Sequence, residues 1–157
     1  MKNVILFGCQ KITIDIIEYL KRKKDINISL VVTYDLPQDY ALTGINIKNY
    51  CYQNNIRTIE CRNITESIEN IIKSIKPDLI ISSYFRGILK KKIWSSSKIA
   101  TINIHPSLLP LYRGPVPTAW GLMNLENLRK LFLKTKCGVS IIGEIIQYYL
   151  MAGKLKC

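Results

Sequence analysis

The chain has 157 residues, of which 48% are hydrophobic and 22% charged, values that suit one ordinary domain with a sizeable core and argue against disorder. It carries 23 Lys and Arg against 11 Asp and Glu, a formal charge of +12. A field of that sign favours encounter with anions: nucleotides, nucleotide-sugars, polyglutamylated cofactors or RNA. No apolar run approaches the roughly 20 residues of a membrane span, and the short one after Lys2 does not make a signal peptide. A cytoplasmic protein with no membrane partner is therefore expected.

The positive charge lies in Lys21-Arg22-Lys23-Lys24, in Lys90-Lys91-Lys92 and in a looser set at Arg129, Lys130, Lys134 and Lys136. The first run suits the negative end of a helix dipole, and all are expected to face solvent. The chain is rich in Ile, Lys and Asn, so its charge reflects either a composition bias or an anionic partner. Cys9, Cys51, Cys61, Cys137 and Cys157 contain no Cys-x-x-Cys pair, and His105 is the single histidine. Buried, reduced thiols and no metal site are the expectation.

In chain order, Asn3 to Phe7 is an apolar run closed by Gly8, the pattern of a buried first strand. Ile12, Ile16, Ile17 and Leu20 recur at helical spacing, and Ile28 to Thr33 reads as a second strand. Tyr34 to Asn46 is a loop. A short helix over Ile47 to Asn54 and a brief strand near Arg57 to Glu60 follow. Asn63 and Glu66 form a capping-box pattern ahead of a helix with Ile68, Ile71, Ile72 and Ile75 on its apolar side. Pro77 ends that pattern before a strand over Leu79–Ser82, and a last strand spans Lys98 to Ile104. This alternation predicts an α/β fold: an open, mostly parallel sheet with helices on both faces and its chemistry at the carboxyl edge. Gly8 follows a strand and precedes a helix, yet Gly8-Cys9-Gln10-Lys11 lacks the further glycines of a dinucleotide loop. A tight turn is expected there instead.

Chemistry concentrates in one stretch, Asn103-Ile104-His105-Pro106-Ser107-Leu108-Leu109-Pro110-Leu111-Tyr112-Arg113-Gly114-Pro115-Val116-Pro117. If Ala100 to His105 is a strand, Asn103 and His105 share a face and emerge together at its end. The prolines then confine the loop that follows. An amide and an imidazole so placed could stabilise charge developing in acyl-type chemistry. Equally, Asn103 could cap a turn and His105 bridge backbone groups.

The run from Asn103 to Trp120 resembles the signature of the folate-dependent formyltransferases. That family includes glycinamide ribonucleotide, methionyl-tRNA and amino-sugar N-formyltransferases. Its Pro117 and Trp120 continuation is more similar to the tRNA and sugar branch. Val4–Gly8, Val31-Val32-Thr33-Tyr34 and Pro77-Asp78-Leu79-Ile80 also follow the family pattern. The resemblance implies the Rossmann-like formyltransferase fold and a single domain over 1–157, shortened in its C-terminal part. It further implies formyl transfer from 10-formyltetrahydrofolate to a primary amine, with a nucleotide-linked amino sugar as acceptor. The alternatives are a methionyl-tRNA acceptor, or an inactive domain that binds folate or a nucleotide or serves in assembly. By the same resemblance Asn103 holds the formyl oxygen and His105 stabilises the oxyanion. Ser83-Tyr84-Phe85-Arg86-Gly87-Ile88-Leu89 borders the pterin. Ser107, Tyr112, Arg113 and Gly114 lie by the acceptor, with Arg113 either contacting a phosphate or locking the loop.

One departure bears on mechanism. The family continues after its Gly-Val-Thr-Ile strand with a loop carrying an aspartate, then Asp-Thr-Gly-Asp-Ile-Ile. This chain reads Gly138-Val139-Ser140-Ile141-Ile142-Gly143-Glu144-Ile145-Ile146-Gln147, which puts Ile141 where the aspartate belongs. No Asp follows Asp78. Glu144 is the acidic residue that could substitute, and otherwise it faces solvent. Tyr148 and Tyr149 admit either ordinary packing or a homodimer interface.

Overall fold

The fold was analysed in a computed structural model that describes residues 1–34 and 46–104. These make up most of one compact unit, Met1–Thr101, and the first residues of a second, Ile102–Cys157. Its elements are β1 (Lys2–Gly8), α1 (Lys11–Lys21), β2 (Ile26–Thr33), α2 (Ile47–Gln53), β3 (Thr58–Glu60), α3 (Glu66–Ile75), β4 (Leu79–Ser83), α4 (Lys91–Trp94) and β5 (Ala100–Ile104). The sheet order is β3-β2-β1-β4-β5. β1 pairs in parallel with β2 and β4, and β2 with β3. This is the mostly parallel, helix-flanked sheet that the alternating pattern predicts.

β1 takes the central place because Val4, Ile5, Leu6 and Phe7 are apolar on both faces of the strand, and all four are buried. Ile5 and Phe7 join Leu30, Val32 and Ile80 in a cluster covered by Ile68 and Ile72 of α3 and Ile93 of α4. α1 and α2 pack together beside β1 and β2, where Ile17, Leu20, Ile47 and Cys51 are buried. Two helices thus cover each face. Each large side chain sealed in this way contributes about 1.5–3 kcal/mol over leaving it in water. The Tyr50 hydroxyl donates to Glu18 Oε1, tying α2 to α1. Burial and the adjoining carboxylate push the Tyr50 pKa up to about 12.

Three local details differ from the periodic reading. The face that α1 buries is Thr13, Ile17 and Leu20, while Ile12 and Ile16 are half-buried. Asn63 does not cap α3. Thr65 occupies the N-cap without a capping bond from its side chain to a helix N–H; its hydroxyl instead hydrogen-bonds that of Ser67 at 2.8 Å. α4 lacks an apolar period long enough to announce it. Cys9 and Cys51 are buried free thiols, and Cys61 is half-buried. Cys137 and Cys157 lie outside the described residues, as does most of the loop after Tyr34. Lys21–Lys24 and Lys90–Lys92 all face solvent. The first run closes α1, with Lys21 in its last turn and Arg22 at the C-cap.

Gly8 sits where α1 crosses closest to the sheet. A Cβ there would overlap Thr13 Oγ1 and lie 2.9 Å from the Ser83 carbonyl oxygen. The first turn of α1 therefore seats a small polar residue, Thr13, over a position without a side chain. At the opposite edge, Asp78 joins three strands. Its carboxylate accepts from the Asn3 N–H at 2.7 Å and from Lys98 Nζ at 3.3 Å. Its own N–H donates to the Asn3 carbonyl at 2.8 Å, and its carbonyl accepts from the Ile99 N–H at 2.9 Å. The Asn3 hydrogen bond, aided by Lys98, holds the Asp78 carboxyl below the usual carboxylate range.

A depressed carboxyl stabilises the fold above its unfolded pKa of about 4 and loses that contribution as pH falls through the folded value. Denaturant unfolding across pH should show stability declining below about pH 4. Asp78→Asn should be less stable at neutral pH with a flatter acid limb, whereas an unchanged acid slope would contradict this role. Gly8→Ala should cost about 1–3 kcal/mol through overpacking. Adding Thr13→Ala should recover part of that loss, because it removes the atom that the new methyl strikes.

Candidate functional site

β1 and β4 end side by side, with Gly8 opposite Ser83 in register, so the loops that follow them leave the carboxyl edge together. They are joined by a polar contact: the Cys9 thiol donates to the Tyr84 carbonyl at 2.8 Å. Burial pushes the Cys9 pKa up, partly offset by the charge of Arg86, so the thiol keeps its proton at neutral pH and stays a donor. Tyr84 turns the chain through the left-handed region at φ 53°, and burial also raises its phenol pKa.

Past Tyr84 the segment is held by aromatic packing. The Phe85 ring meets Phe7 edge-on at 5.3 Å and Tyr34 at 6.4 Å. A Cβ on Gly87 would come within 2.6 Å of the Phe85 ring, so glycine lets the chain fold back over its own aromatic. Phe85 and Leu89 pack on the cluster that contains Phe7, Ile80 and Ile93. Ile88 points the other way and is 89% exposed. An exposed branched side chain on an anchored loop suits the face of a flat heteroaromatic ring. The buried hydroxyls of Thr13 and Ser83 have no hydrogen-bond partner among the described residues.

The residues singled out in the sequence divide accordingly. Ser83 through Leu89 form one anchored loop in which Ser83, Phe85 and Leu89 face inward and Ile88 faces outward. Asn103 lies one residue before the end of β5 and is half-buried. His105, Ser107, Tyr112, Arg113, Gly114, Ile141 and Glu144 fall outside the described residues. Cys9 is the buried, reduced thiol expected, but its bond to Tyr84 and the burial of Thr13 escaped the sequence reading, since neither belongs to a recognisable pattern. Their signal was the missing glycines after Gly8, which leave side chains to do the packing. Among the described residues there is no group of three potential metal ligands and no helix long and apolar enough to cross a membrane.

Comparison with known proteins agrees with this architecture. A methionyl-tRNA formyltransferase from Clostridium acetobutylicum is 31% identical over 130 residues, covering 80% of this chain and 42% of the relative. One from Mesoplasma florum is 30% identical over 146 residues, covering 91% of this chain and 44% of the relative. The chain thus spans about two-fifths of the length of these curated relatives. Among solved structures, glycinamide ribonucleotide transformylase 1 from Geobacillus kaustophilus superposes with a TM-score of 0.63 at 19% identity, covering 80% of this chain and 69% of that one. A formyltetrahydrofolate deformylase from Pseudomonas syringae superposes at 0.60 and 16% identity, covering 78% and 42%. These structures share the fold. The family model described as formyl transferase matches residues 2–129, a span that takes in the Cys9–Tyr84 junction, the 83–89 loop and the Asn103 segment, and the chain belongs to that family.

Proposed function

We propose that this chain is a formyltransferase module that takes the formyl group of 10-formyltetrahydrofolate and delivers it to a primary amine in the cytoplasm. The observation that carries this reading is the 83–89 loop. Its backbone is fixed from beneath by Phe85, Leu89 and the Cys9 thiol, while Ile88 stands exposed on its outer side. Those features fit a pterin, with Ile88 against the ring face and, as the family resemblance implies, backbone groups of the loop reading its edge. When bound, the folate supplies an electrophilic formyl carbon.

The protein's task is then to hold the formyl oxygen and accommodate the charge that develops on it. Asn103 donates its amide to that oxygen, and His105 supplies a second donor. Such preorganised donors outperform water because they need no reorientation during reaction. The acceptor amine must shed a proton, for which the family uses an aspartate. Ile141 stands at that position, so the proton passes to Glu144 or to solvent. The family resemblance assigns Ser107, Tyr112, Arg113 and Gly114 to the acceptor, with Arg113 either contacting its phosphate or locking the loop.

A nucleotide-linked amino sugar is the first acceptor to test; the Pro117 and Trp120 continuation is similar to the tRNA and sugar branch together. The names of the curated relatives favour the amine of a methionyl-tRNA as the second reading. The test supplies purified protein with 10-formyltetrahydrofolate and either amino-sugar nucleotides or charged tRNA. N-formyl product is followed by mass spectrometry. Asn103→Ala and His105→Ala should each lower turnover by about 10²–10³-fold. Folate binding without product in either arm would replace transfer with a binding function. Product that survives both substitutions would remove these residues from the chemistry.

A further inference from the structure

We propose that Cys9 is a positioning residue for the folate: its thiol holds the turn from which the 83–89 loop is hung, so that affinity depends on the proton it donates. This rests on the folate reading above and deepens it, giving a part in ligand binding to a side chain that lies outside the loop. Among the described residues, three other than glycine hold a left-handed backbone: Asn55 at φ 53°, Lys76 at 51° and Tyr84 at 53°. Lys76 is the C-cap of α3, and Asn55 follows the C-cap of α2. Helices commonly end in that conformation, and both N–H groups donate back into their helices, to Lys73 and Tyr52, at 3.1 Å. Tyr84 has no helix behind it. It follows directly on β4, which ends at Ser83, and its bulky side chain disfavours this region of the backbone.

Such a turn persists only where its surroundings impose it, and two contacts do so. Phe85 is drawn inward by its edge-on packing against Phe7, which fixes a ring. The Cys9 thiol grips the Tyr84 carbonyl at 2.8 Å, which fixes the plane of the Tyr84–Phe85 peptide and hence the course of the chain toward Ile88. Gly8 and Ser83 are in register, so Cys9 and Tyr84 are the first residues past the paired strand ends, and their bond adds one rung made by a side chain. Cys9 is 7% exposed, so little water competes for the carbonyl. Valine fills a similar volume there but has no proton to give, whereas serine keeps a donor. The two substitutions therefore separate the bond from the bulk.

The experiment measures 5-formyltetrahydrofolate binding by calorimetry for the full chain and its Cys9→Val and Cys9→Ser variants, and follows hydrogen exchange without ligand in the same proteins. Cys9→Val should bind about five- to tenfold more weakly, as expected when one hydrogen bond is lost. Its exchange should quicken over residues 84–89 and stay unchanged in β1 and β4. Cys9→Ser should restore affinity to within about twofold of the original. Reciprocity gives a second measurement on the unaltered chain: ligand at about ten times its Kd should slow alkylation of Cys9 by iodoacetamide about tenfold. Cys61, half-buried beside β3, should react at an unchanged rate. Full affinity in Cys9→Val, a loss that Cys9→Ser does not repair, or alkylation of Cys9 indifferent to ligand overturns the inference while the folate reading stands. Absence of binding to the unaltered chain overturns the folate reading and the inference with it.

Discussion

The close approach of β1, α1 and β4 at Gly8 governs the geometry of the carboxyl edge. With no Cβ at Gly8, Thr13 seats against the sheet and the Ser83 carbonyl comes near, so β1 and β4 end level with each other. Only from level ends can the Cys9 thiol reach the Tyr84 carbonyl. That contact starts the next loop in its left-handed turn and directs Phe85 inward against Phe7. Each step is local, but together they convert one absent methyl group into the shape of a ligand-facing surface. The opposite edge has its own fastening in Asp78, which ties β4 to β1 through Asn3. The candidate site therefore hangs from a sheet pinned at both ends.

Much of this architecture could be read from the residues because burial imposes period. β1 is apolar on both faces, and a strand of that kind belongs in the middle of a parallel sheet. The Ile68–Ile75 stripe could be nothing but an amphipathic helix. What escaped detection was set by tertiary contact. Thr13 is polar, so a hydropathy pattern shifts the buried face of α1 toward Ile12 and Ile16, and only the proximity of Gly8 explains why a threonine is buried there. Asn63 and Glu66 match a capping spacing, yet α3 begins one residue after Thr65. α4 has a single buried apolar residue, Ile93, too few for any period.

The site was legible to a different degree in each of its parts. The Asn103–Trp120 run is conspicuous for its prolines and for placing the single histidine two residues after an asparagine. The 83–89 segment has no such composition, and only the family likeness marks it. The likeness does not say which side chains face in. The structure divides them by packing: Phe85 and Leu89 support the loop, and Ile88 remains on display. A hydrophobic residue in a binding loop can thus serve as buttress or as contact surface, and chain order alone does not separate the two.

Among the described residues the sheet ends on β3, a strand of three residues. Its outermost position in the strand order would invite a second molecule to add a strand there if it were long and apolar. Three residues offer too short a ladder for that. The Lys48–Glu60 ion pair, 3.1 Å across, sets charge at its last position. A short, charged border of this kind guards a lysine- and isoleucine-rich chain against self-association through its backbone, leaving β-addition at this margin unfavourable even at high concentration.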